Sequence, residues 1–372
     1  MPPAGGVATS GPGFTSPGPT PPGVGPSATG APSSRALRRA RKFDRRRHAS
    51  ALAYWDLAES GSPSAFDGVR FCGTAIGAVV GFETDGEIVR GRGVRRCGLG
   101  WVCADCSETL RIGRAREVER AAAAHVTMGG TLAMLTLTLR HDRSMSLADL
   151  LGALIGSWGQ VQRMAIGRRL NGACVGWIRA LEITQGSNGW HPHLHLLLLV
   201  DPAAAGSRAE LELTVHELRR VWCGLIDRRL GARPSLERSA DLTWMGRDYR
   251  AAAYVSKIAK EVTLSDFKSG RDPLALLDDA DPRSVALFFE YAAAIKGRQA
   301  IAWSKGLRDR LGIREATDDE ILDEPEREWV RLPVTVEREV WNRALREGTL
   351  ADLLVEIEAA LPALDAFARD TG

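Results

Sequence analysis

The segment from Gly189 to Val200 constrains the fold more than any other part of the chain. It reads Gly-Trp-His-Pro-His-Leu-His followed by four leucines and a valine, and it holds three of the seven histidines at alternating positions. Alternate side chains of a β-strand lie on one face, so the pattern predicts His191, His193 and His195 on one side of a buried strand. Buried imidazoles need a partner, and a metal ion is the partner that this spacing favours. The alternative is a histidine-rich strand end whose rings bond to carbonyl groups and water.

A second predicted strand, Cys174–Thr184, carries an acid that belongs with these histidines. The residues between the two strands are rich in Gly, Ser and Asn, which predicts a hairpin turn. In such a hairpin Glu182 lies opposite or diagonal to His193. Two imidazoles and one carboxylate with open coordination positions suit Mg2+ or Mn2+ acting on a phosphodiester. The alternative for Glu182 is an ordinary acid on the strand surface.

Four of the six cysteines precede these strands and form a metal-binding pattern. Three have the spacing Cys-x5-Cys-x2-Cys, and the fourth is the only cysteine further upstream. The four are Cys72, Cys97, Cys103 and Cys106. Thiolates at this spacing can surround one structural Zn2+, which takes four ligands. His125 is the alternative to Cys72 as fourth ligand, and buried free cysteines are the alternative to a metal site. Cys174 and Cys223 are isolated, and we expect them in the core.

The positive charge of the chain is concentrated in one run. The 372 residues carry a net charge of only +3, so a cationic binding surface requires local clustering. Residues 1–34 consist mostly of Pro, Gly, Ser, Thr and Ala, and we expect them to be disordered. The basic run that follows contains Arg38, Arg39, Arg41, Lys42, Arg45, Arg46 and Arg47. It predicts either a DNA-contacting arm whose binding weakens with salt or the solvated start of a basic helix.

Hydrophobic periodicity places the remaining elements. We predict helices at Ser107–Val126 with Ser107 as N-cap, Leu147–Leu170, Ser207–Leu230, Asp248–Val262, Val285–Ile295 and Val336–Leu361. We predict further strands at Leu132–His141 and Asp241–Trp244. On the Asp248–Val262 helix, Tyr254 and Lys257 are three residues apart and share a face. No apolar run reaches the length of a membrane span and no secretory signal is present, so we expect a cytoplasmic protein that contacts no membrane.

Several motifs resemble those of the HUH endonucleases, in particular rolling-circle replication initiators of actinobacterial plasmids and integrative elements. Leu135-Thr136-Leu137-Thr138 with Arg140-His141 is similar to the first motif of that family. His193-Leu194-His195 is similar to its histidine–hydrophobe–histidine motif, and Tyr254-Val255-Ser256-Lys257 to its Tyr-x-x-Lys motif. The Cys97–Cys106 segment is similar to a cysteine cluster often found before the nuclease core. Ile258 stands where some relatives carry a second tyrosine, so the chain resembles a single-tyrosine member.

The resemblance implies an α+β fold with a central antiparallel sheet flanked by helices, the HUH nuclease fold, preceded by a cysteine-rich zinc module. It implies metal-dependent DNA nicking and strand transfer in which Tyr254 forms a 5′-phosphotyrosine link. Lys257 would lower the pKa of the phenol or contact the phosphate. His193, His195 and Glu182 would hold the catalytic Mg2+ or Mn2+, with His191 beside the metal ligands rather than on the metal.

The implied partner is plasmid origin DNA, in single-stranded or cruciform form. No G-x-x-x-x-G-K-[ST] loop is present, so unwinding and synthesis are expected from a host helicase and a host DNA polymerase. In some single-tyrosine relatives, an acidic residue near the tyrosine nucleophile activates the water that acts at termination. Here Arg250 stands four residues before Tyr254, and Asp248 and Glu261 are the nearby acids.

We divide the chain by composition and motif. The predicted segments are a disordered tail (1–34), a basic arm or linker (35–71), a cysteine-rich zinc module with its helix (72–128), the endonuclease core (129–264), a C-terminal extension of the core (265–316) and an acidic helical tail (317–372). Two alternatives to a replication initiator stay open. One is an HUH-type transposase or mobilisation relaxase with the same chemistry, and the other is a non-catalytic, zinc-stabilised DNA-binding regulator.

Overall fold

A computed structural model describes residues 34–86, 88–201, 207–245, 270–279, 281–323 and 329–370. The strands in this part of the chain are β1 Val79–Thr84, β2 Val89–Arg92, β3 Thr131–Leu137, β4 Cys174–Gly186, β5 Gly189–Val200, β6 Ala240–Met245, β7 Ile301–Trp303 and β8 Val330–Glu337. The helices are α1 Ser34–Ser60, α2 Ala104–Thr127, α3 Leu147–Arg163, α4 Ala165–Gly172, α5 Ser207–Leu230, α6 Leu236–Ser239, α7 Pro282–Ile295, α8 Leu307–Leu311, α9 Asp318–Asp323, α10 Arg338–Glu347 and α11 Leu350–Asp370. Two short 3-10 helices span Asp67–Phe71 and Pro273–Asp278.

The central sheet has five strands in the order β6-β3-β5-β4-β7, and every neighbouring pair is antiparallel. One face packs beneath α3, α5 and α7 in the largest hydrophobic cluster of the described residues. Leu194, Leu196 and Leu198 of β5 point into that cluster. Leu197 and Leu199 point to the opposite face, where α2 and α8 cover them. Because this end of β5 is buried on both faces, its apolar run is continuous rather than alternating.

The second face of the central sheet is therefore apolar at one end of β5 and polar at the other. Leu197 and Leu199 lie under α2 at one end, and the side chains of His191, His193 and His195 share the same face at the other end. The metal-binding pattern predicted from the alternation thus falls on the part of the face that α2 does not cover. The described residues bear out a mixed α+β architecture with antiparallel sheets.

A second, three-stranded sheet has the order β2-β1-β8 and is also antiparallel. It shares a separate hydrophobic cluster with α10 and α11, in which Phe82 and Trp341 are almost fully buried. α1 packs against α2, α11 and both 3-10 helices. The basic N-terminal helix thereby joins the second sheet to the central one.

The C-terminal region differs from the single helix predicted at Val336–Leu361. Residues 330–337 form β8, because Val330, Leu332, Val334 and Val336 alternate with polar residues and continue the sheet next to β1. The helical part is then divided at Gly348, whose φ of 85° ends α10 in a left-handed conformation.

Two helix boundaries also differ from the prediction. α2 begins at Ala104 with Cys103 as N-cap rather than Ser107, because the cysteine turn leads directly into the helix. The predicted helix Leu147–Leu170 is interrupted at Met164, which has an extended conformation between α3 and α4. By contrast, Ser207–Leu230 is one helix as predicted. Within the described residues, no helix combines the length and the apolar composition that crossing a lipid bilayer requires.

Candidate metal centres

The β4–β5 hairpin determines where the candidate metal ligands lie. Gly186 pairs with Gly189 across a two-residue turn, and the register that follows places Glu182 directly opposite His193. Gly189 has a φ of 91°, and a Cβ there would approach the carbonyl oxygen of Asp142 to 3.0 Å. Only glycine suits that conformation and that space. The tight turn therefore sets the register that brings the acid to the histidines.

Three potential ligands meet on this hairpin. The Nε2 atom of His195 lies 2.7 Å from Oε2 of Glu182, and Nδ1 of His193 lies 3.8 Å from the same oxygen. One ligand atom from each of the three residues lies within 4.8 Å of the others. The side chains are 16–22% exposed, so the group is half-buried and open on one side. Two imidazole nitrogens and a carboxylate oxygen, open on one side, form a donor set that can bind Mg2+ or Mn2+.

Thr136 of β3 supports His195 from the next strand. The two residues are register partners, and Oγ1 of Thr136 lies 3.2 Å from Nδ1 of His195. This contact leaves Nε2, the nitrogen facing Glu182, as the ligand atom. Thr136 was not among the site residues predicted from sequence. Its alternation with buried leucines in β3 was the signal that could have placed it on this face.

A second pair of rings extends the histidine row. The rings of His191 and His193 have centroids 3.9 Å apart, and those of His141 and His191 are 4.4 Å apart. Burial, reinforced by the charge of His141, lowers the pKa of His191 to about 4. Burial and the neighbouring histidines also hold the pKa of His193 well below its usual value. Both imidazoles are therefore neutral at neutral pH, which is the form that binds metals. His191 lies next to the three-residue group but is not part of it.

The predicted nucleophile, Tyr254, and its partner Lys257 lie outside the described residues, as do Asp248 and Glu261. The chain that carries them leaves β6 after Met245 and is described again from Gly270. Gly270 lies against the side chain of Thr184, where a Cβ would come within 2.9 Å. Thr184 is two residues from Glu182 on β4 and shares its face. The segment therefore rejoins the central sheet beside the candidate ligands.

The four predicted cysteines form a second group. Cys72 and Cys103 have sulfur atoms 3.5 Å apart, Cys72 and Cys106 3.6 Å, and Cys97 and Cys106 3.7 Å. A tetrahedral Zn2+ with bonds of about 2.3 Å separates its sulfur ligands by about 3.8 Å. The cluster is therefore compatible with one structural zinc. Cys174 and Cys223 are buried elsewhere, as expected.

His125, the alternative fourth ligand, does not take part in this cluster. Its Nε2 atom lies 3.0 Å from the carbonyl oxygen of Val200 and 3.3 Å from that of Thr131. The ring is 2% exposed and ties the end of α2 to the central sheet. That alternative is wrong, because His125 lies at the far end of α2 from Cys103 and Cys106.

The cysteine cluster gains a favourable setting from α2. Cys103 caps the helix and Cys106 lies in its first turn, where the partial positive charge of the helix terminus favours thiolate. Hydrogen bonds from the neighbouring cysteines, first Cys103 and then Cys72 and Cys97, lower the pKa of Cys106 far below that of a free thiol. Metal ligation requires this deprotonated form. The hydrogen bonds within the cluster, together with burial, raise the pKa of Cys72 and Cys103, so metal binding has to release protons from those two thiols.

The basic run lies on α1, and the structure pairs most of it internally. Five of its members form ion pairs: Arg39 with Glu358, Lys42 with Asp105 and Glu108, Arg45 with Asp278, Arg46 with Asp105, and Arg47 with Asp44. Arg38 and Arg41 are exposed and make no ion pair within the described residues. α1 therefore uses most of these cations to hold neighbouring elements, and contact of the basic run with DNA stays a prediction.

Comparison with known proteins agrees with the motif analysis. Residues 103–211, from the cysteine turn through the β4–β5 hairpin, match the replication protein family. The chain is 28% identical over 335 residues to Protein rep of Streptomyces lividans, an alignment that covers 69% of this chain and 74% of that protein. It is 30% identical over 174 residues to a Neomycin resistance protein of Streptomyces cyanogenus, covering 40% of this chain and 38% of that protein.

No solved structure matches this chain. The matched segment contains Glu182, His193 and His195 together with Cys103 and Cys106, and it ends before Tyr254. The resemblance to replication proteins inferred from the motifs is therefore confirmed: residues 103–211 match the replication protein family, and the chain is a distant relative of a Streptomyces replication protein.

Proposed function

We propose that this chain is a rolling-circle plasmid replication initiator, a metal-dependent endonuclease and strand transferase that nicks origin DNA through Tyr254. The observation that carries the proposal is the convergence of Glu182, His193 and His195, whose ligand atoms lie within 4.8 Å of one another. The match of residues 103–211 to the replication protein family and the similarity to Protein rep support the biological process.

The donor set supports a divalent cation at the hairpin. Two imidazoles and a carboxylate suit Mg2+ or Mn2+, and the open side of the group leaves room for a phosphate. When bound there, such a cation neutralises charge on a phosphodiester and orients it for displacement. Thr136 keeps His195 in the orientation that presents Nε2, and His191 packs behind His193.

The chemical step assigned to Tyr254 is a transesterification. Its phenolic oxygen forms a bond to phosphorus, while the bond from phosphorus to the 3′ oxygen of the preceding nucleotide breaks. The phenolic proton leaves as the new 3′ hydroxyl gains one. Lys257, on the same predicted helix face, favours the phenolate by its positive charge. The products are a 5′-phosphotyrosine and a free 3′-OH, which is a primer, and the covalent link keeps the phosphodiester energy for rejoining.

The path of the chain supports this assignment. The segment that carries Tyr254 begins after β6, the edge strand beside β3, and ends at Gly270 against Thr184. Its first end follows Met245, which pairs with Leu132 at the end of the sheet away from the histidines. Its second end, Gly270, lies against Thr184, two residues from Glu182, so the segment is tethered beside the candidate ligands at that end.

The other elements of the proposal concern DNA and zinc. We assign the cysteine cluster to one structural Zn2+ that orders the start of α2. Plasmid origin DNA, single-stranded or cruciform, is the proposed substrate, with helicase and polymerase supplied by the host. The exposed cations of α1, Arg38 and Arg41, are the members of the basic run best placed to contact phosphates.

The test is nicking of a supercoiled plasmid that carries its origin, in the presence of Mn2+ or Mg2+. The expected product is nicked DNA with protein attached at the 5′ end. Tyr254→Phe should abolish both the nick and the attachment. Tyr249 stands five residues before Tyr254 on the predicted helix and would therefore lie on another face, so Tyr249→Phe should retain both. His193→Ala should abolish nicking and leave DNA binding intact.

Two results would redirect the proposal. Nicking by Tyr254→Phe at the wild-type rate would remove this tyrosine as the nucleophile. DNA binding with no nicking by the wild-type chain would favour the non-catalytic, zinc-stabilised regulator. A transposase or relaxase would give the same covalent product on a different DNA site, so the required sequence separates it from a replication initiator.

A further inference from the structure

A cavity of about 460 Å3 lies between α1, α2 and the three-stranded sheet, away from the β4–β5 hairpin. Its wall contains nine cationic and four acidic side chains, together with the aromatic residues Phe43, Trp329 and Trp341. Leu350 and Leu354 of α11 supply an apolar floor. A cavity with this combination favours a ligand that is both anionic and aromatic.

The cationic wall is built around one buried acid, Asp105. Its carboxylate lies 2.8 Å from Arg96, 3.2 Å from Arg46 and 3.3 Å from Lys42. The nine cations of the wall outnumber its four acids, and three of these cations share Asp105, so positive charge is left at the cavity wall.

The aromatic wall is prepared for stacking and for hydrogen bonding. The guanidinium of Arg90 lies 3.9 Å from the centre of the Trp329 ring, and Arg90 also forms an ion pair with Glu83. The indole nitrogen of Trp329 is buried without a hydrogen-bond partner among the described residues. A buried N–H without an acceptor is costly, and an anionic ligand would supply the acceptor.

The cysteine cluster positions this wall. Asp105 lies between Cys103 and Cys106 in the sequence, and Arg96 directly precedes Cys97. Asp105 and its partner Arg96 are therefore next to cysteines of the cluster in the sequence, so the turn that brings the four sulfur atoms together also positions this ion pair. The mouth of the cavity also includes Arg38, the exposed cation of α1 that has no ion-pair partner within the described residues.

We infer that this cavity, the inter-sheet cleft, binds a nucleotide unit, with phosphate on the cationic wall and base against the aromatic and apolar wall. Guanidinium groups and aromatic rings are the groups that proteins use for such a unit. The unit belongs either to a DNA strand, which rests on the proposed function, or to a free nucleoside phosphate, which does not. Either source makes the cleft a second nucleic-acid site, separate from the metal ligands of the hairpin.

The test measures binding by fluorescence anisotropy with the full chain and no added divalent cation. The probes are a short fluorescein-labelled single-stranded oligodeoxynucleotide and a fluorescent nucleoside triphosphate. Arg38→Glu should raise the Kd of the bound probe about tenfold, because it places a negative charge at the cavity mouth. Arg343→Glu makes the same charge change on the exposed surface of α10, outside the cavity, and should alter the Kd less than about twofold.

A second variant tests the cavity itself without changing charge. Ile112 lines the cleft and is 36% exposed, so Ile112→Trp should fill the space while leaving the fold intact. We expect it to raise the Kd about tenfold as well, with an unchanged thermal unfolding midpoint. Loss of oligonucleotide binding alone identifies a DNA strand as the ligand, and loss of nucleotide binding identifies a free nucleoside phosphate.

Two outcomes would overturn the inference. One is that neither Arg38→Glu nor Ile112→Trp changes binding of either probe more than Arg343→Glu does. The other is that Arg41→Glu, outside the cavity on the same helix, weakens binding as much as Arg38→Glu while Ile112→Trp leaves it unchanged, since an extended arm rather than a cleft would then hold the ligand. The measurement is independent of nicking, because Tyr254→Phe should bind both probes normally whether or not Tyr254 is the nucleophile.

Discussion

At the scale of single residues, the candidate metal ligands owe their positions to backbone pairing. Glu182 and His193 are direct partners across the β4–β5 ladder, and His195 pairs with Thr136 across the next one. Strand pairing restricts the positions of these side chains, so the three ligands come together without any rearrangement of a loop. Thr136 then selects which nitrogen of His195 faces Glu182.

This role of Thr136 gives a prediction at the same scale. Thr136→Val preserves side-chain shape but removes the oxygen that lies 3.2 Å from Nδ1 of His195. We expect the Kd for Mn2+ to rise about tenfold, the lower end of the usual effect of removing such a supporting contact. Titration of the full chain with Mn2+, followed by electron paramagnetic resonance, measures the free ion.

Thr138→Val is the matched control for that prediction. The hydroxyl of Thr138 donates to the carbonyl of Arg238 and makes no hydrogen bond to a histidine of the described chain. Its loss should leave Mn2+ affinity unchanged. Equal affinities for the two variants would mean that Thr136 does not orient the metal ligand.

Much of this site is predictable from sequence, and the reason is geometric. A two-residue period fixes which side chains share a strand face, and a short turn fixes the partner strand, so Glu182 could be assigned to His193 in advance. Thr136 and His141 could not be assigned in this way, because they enter from β3 and the loop after it. Whether these two residues come close to the histidines depends on which strand pairs with the edge of β5 that β4 does not occupy.

At the scale of elements, the N-terminus of α2 joins the cysteine cluster to the rest of the fold. Cys103 and Cys106 belong to its first turn, and Asp105 between them pairs with cations of α1. The opposite end of the helix is tied to the central sheet by His125. One helix therefore connects the proposed zinc site, the inter-sheet cleft and the sheet that carries the hairpin.

The cysteine cluster yields a prediction about this element. Cys72→Ala removes a ligand that comes from outside α2, and three cysteines cannot close a tetrahedral site. We expect the zinc content of the purified chain to fall from about one per chain to near zero, with a thermal unfolding midpoint lowered by several degrees. Metal content by mass spectrometry and a thermal melt give the two readouts.

Cys174→Ala provides the comparison, since this cysteine is also buried but lies apart from the cluster on β4. It should keep its zinc. Absence of zinc from the wild-type chain, or retention of zinc by Cys72→Ala, would rule out a four-cysteine zinc site.

At the scale of the whole molecule, α1 is the element on which the two sheets meet. Arg39 pairs with Glu358 of α11, Arg45 with Asp278 of a 3-10 helix, and Arg46 with Asp105 of α2. A run that reads as a DNA-binding arm in the sequence is thus largely structural. Its exposed members, and those that line the inter-sheet cleft, are left for an external partner.

Two neighbouring arginines of α1 test whether its buried cations, rather than its exposed ones, stabilise the fold. The side chains of Arg46 and Asp105 are 4% and 9% exposed, whereas those of Arg47 and Asp44 are 40% and 47% exposed. Arg46→Met should lower the free energy of unfolding by about 2–3 kcal/mol, because it weakens the compensation of a buried carboxylate. Arg47→Met should lower it by less than about 1 kcal/mol, since exposed pairs contribute little.

Urea unfolding of the two variants, with zinc present, provides the measurement. The prediction rests on the difference between them rather than on either value. Similar losses for Arg46→Met and Arg47→Met would show that burial does not distinguish the two ion pairs, and α1 would then be an ordinary surface helix.

Local chemistry was enough to determine the histidine face, the hairpin register, the cysteine spacing and the family resemblance, because each depends on residues near one another in the chain. Only the tertiary structure shows that Cys72 is the fourth cysteine of the cluster, which residues pair with the cations of α1, and that residues 330–337 form a strand. Cys72 lies 25 residues before Cys97, and β8 joins β1 from the far end of the chain. Pairings of that kind depend on which distant surfaces exclude water together, and no local pattern of charge or hydrophobicity encodes them.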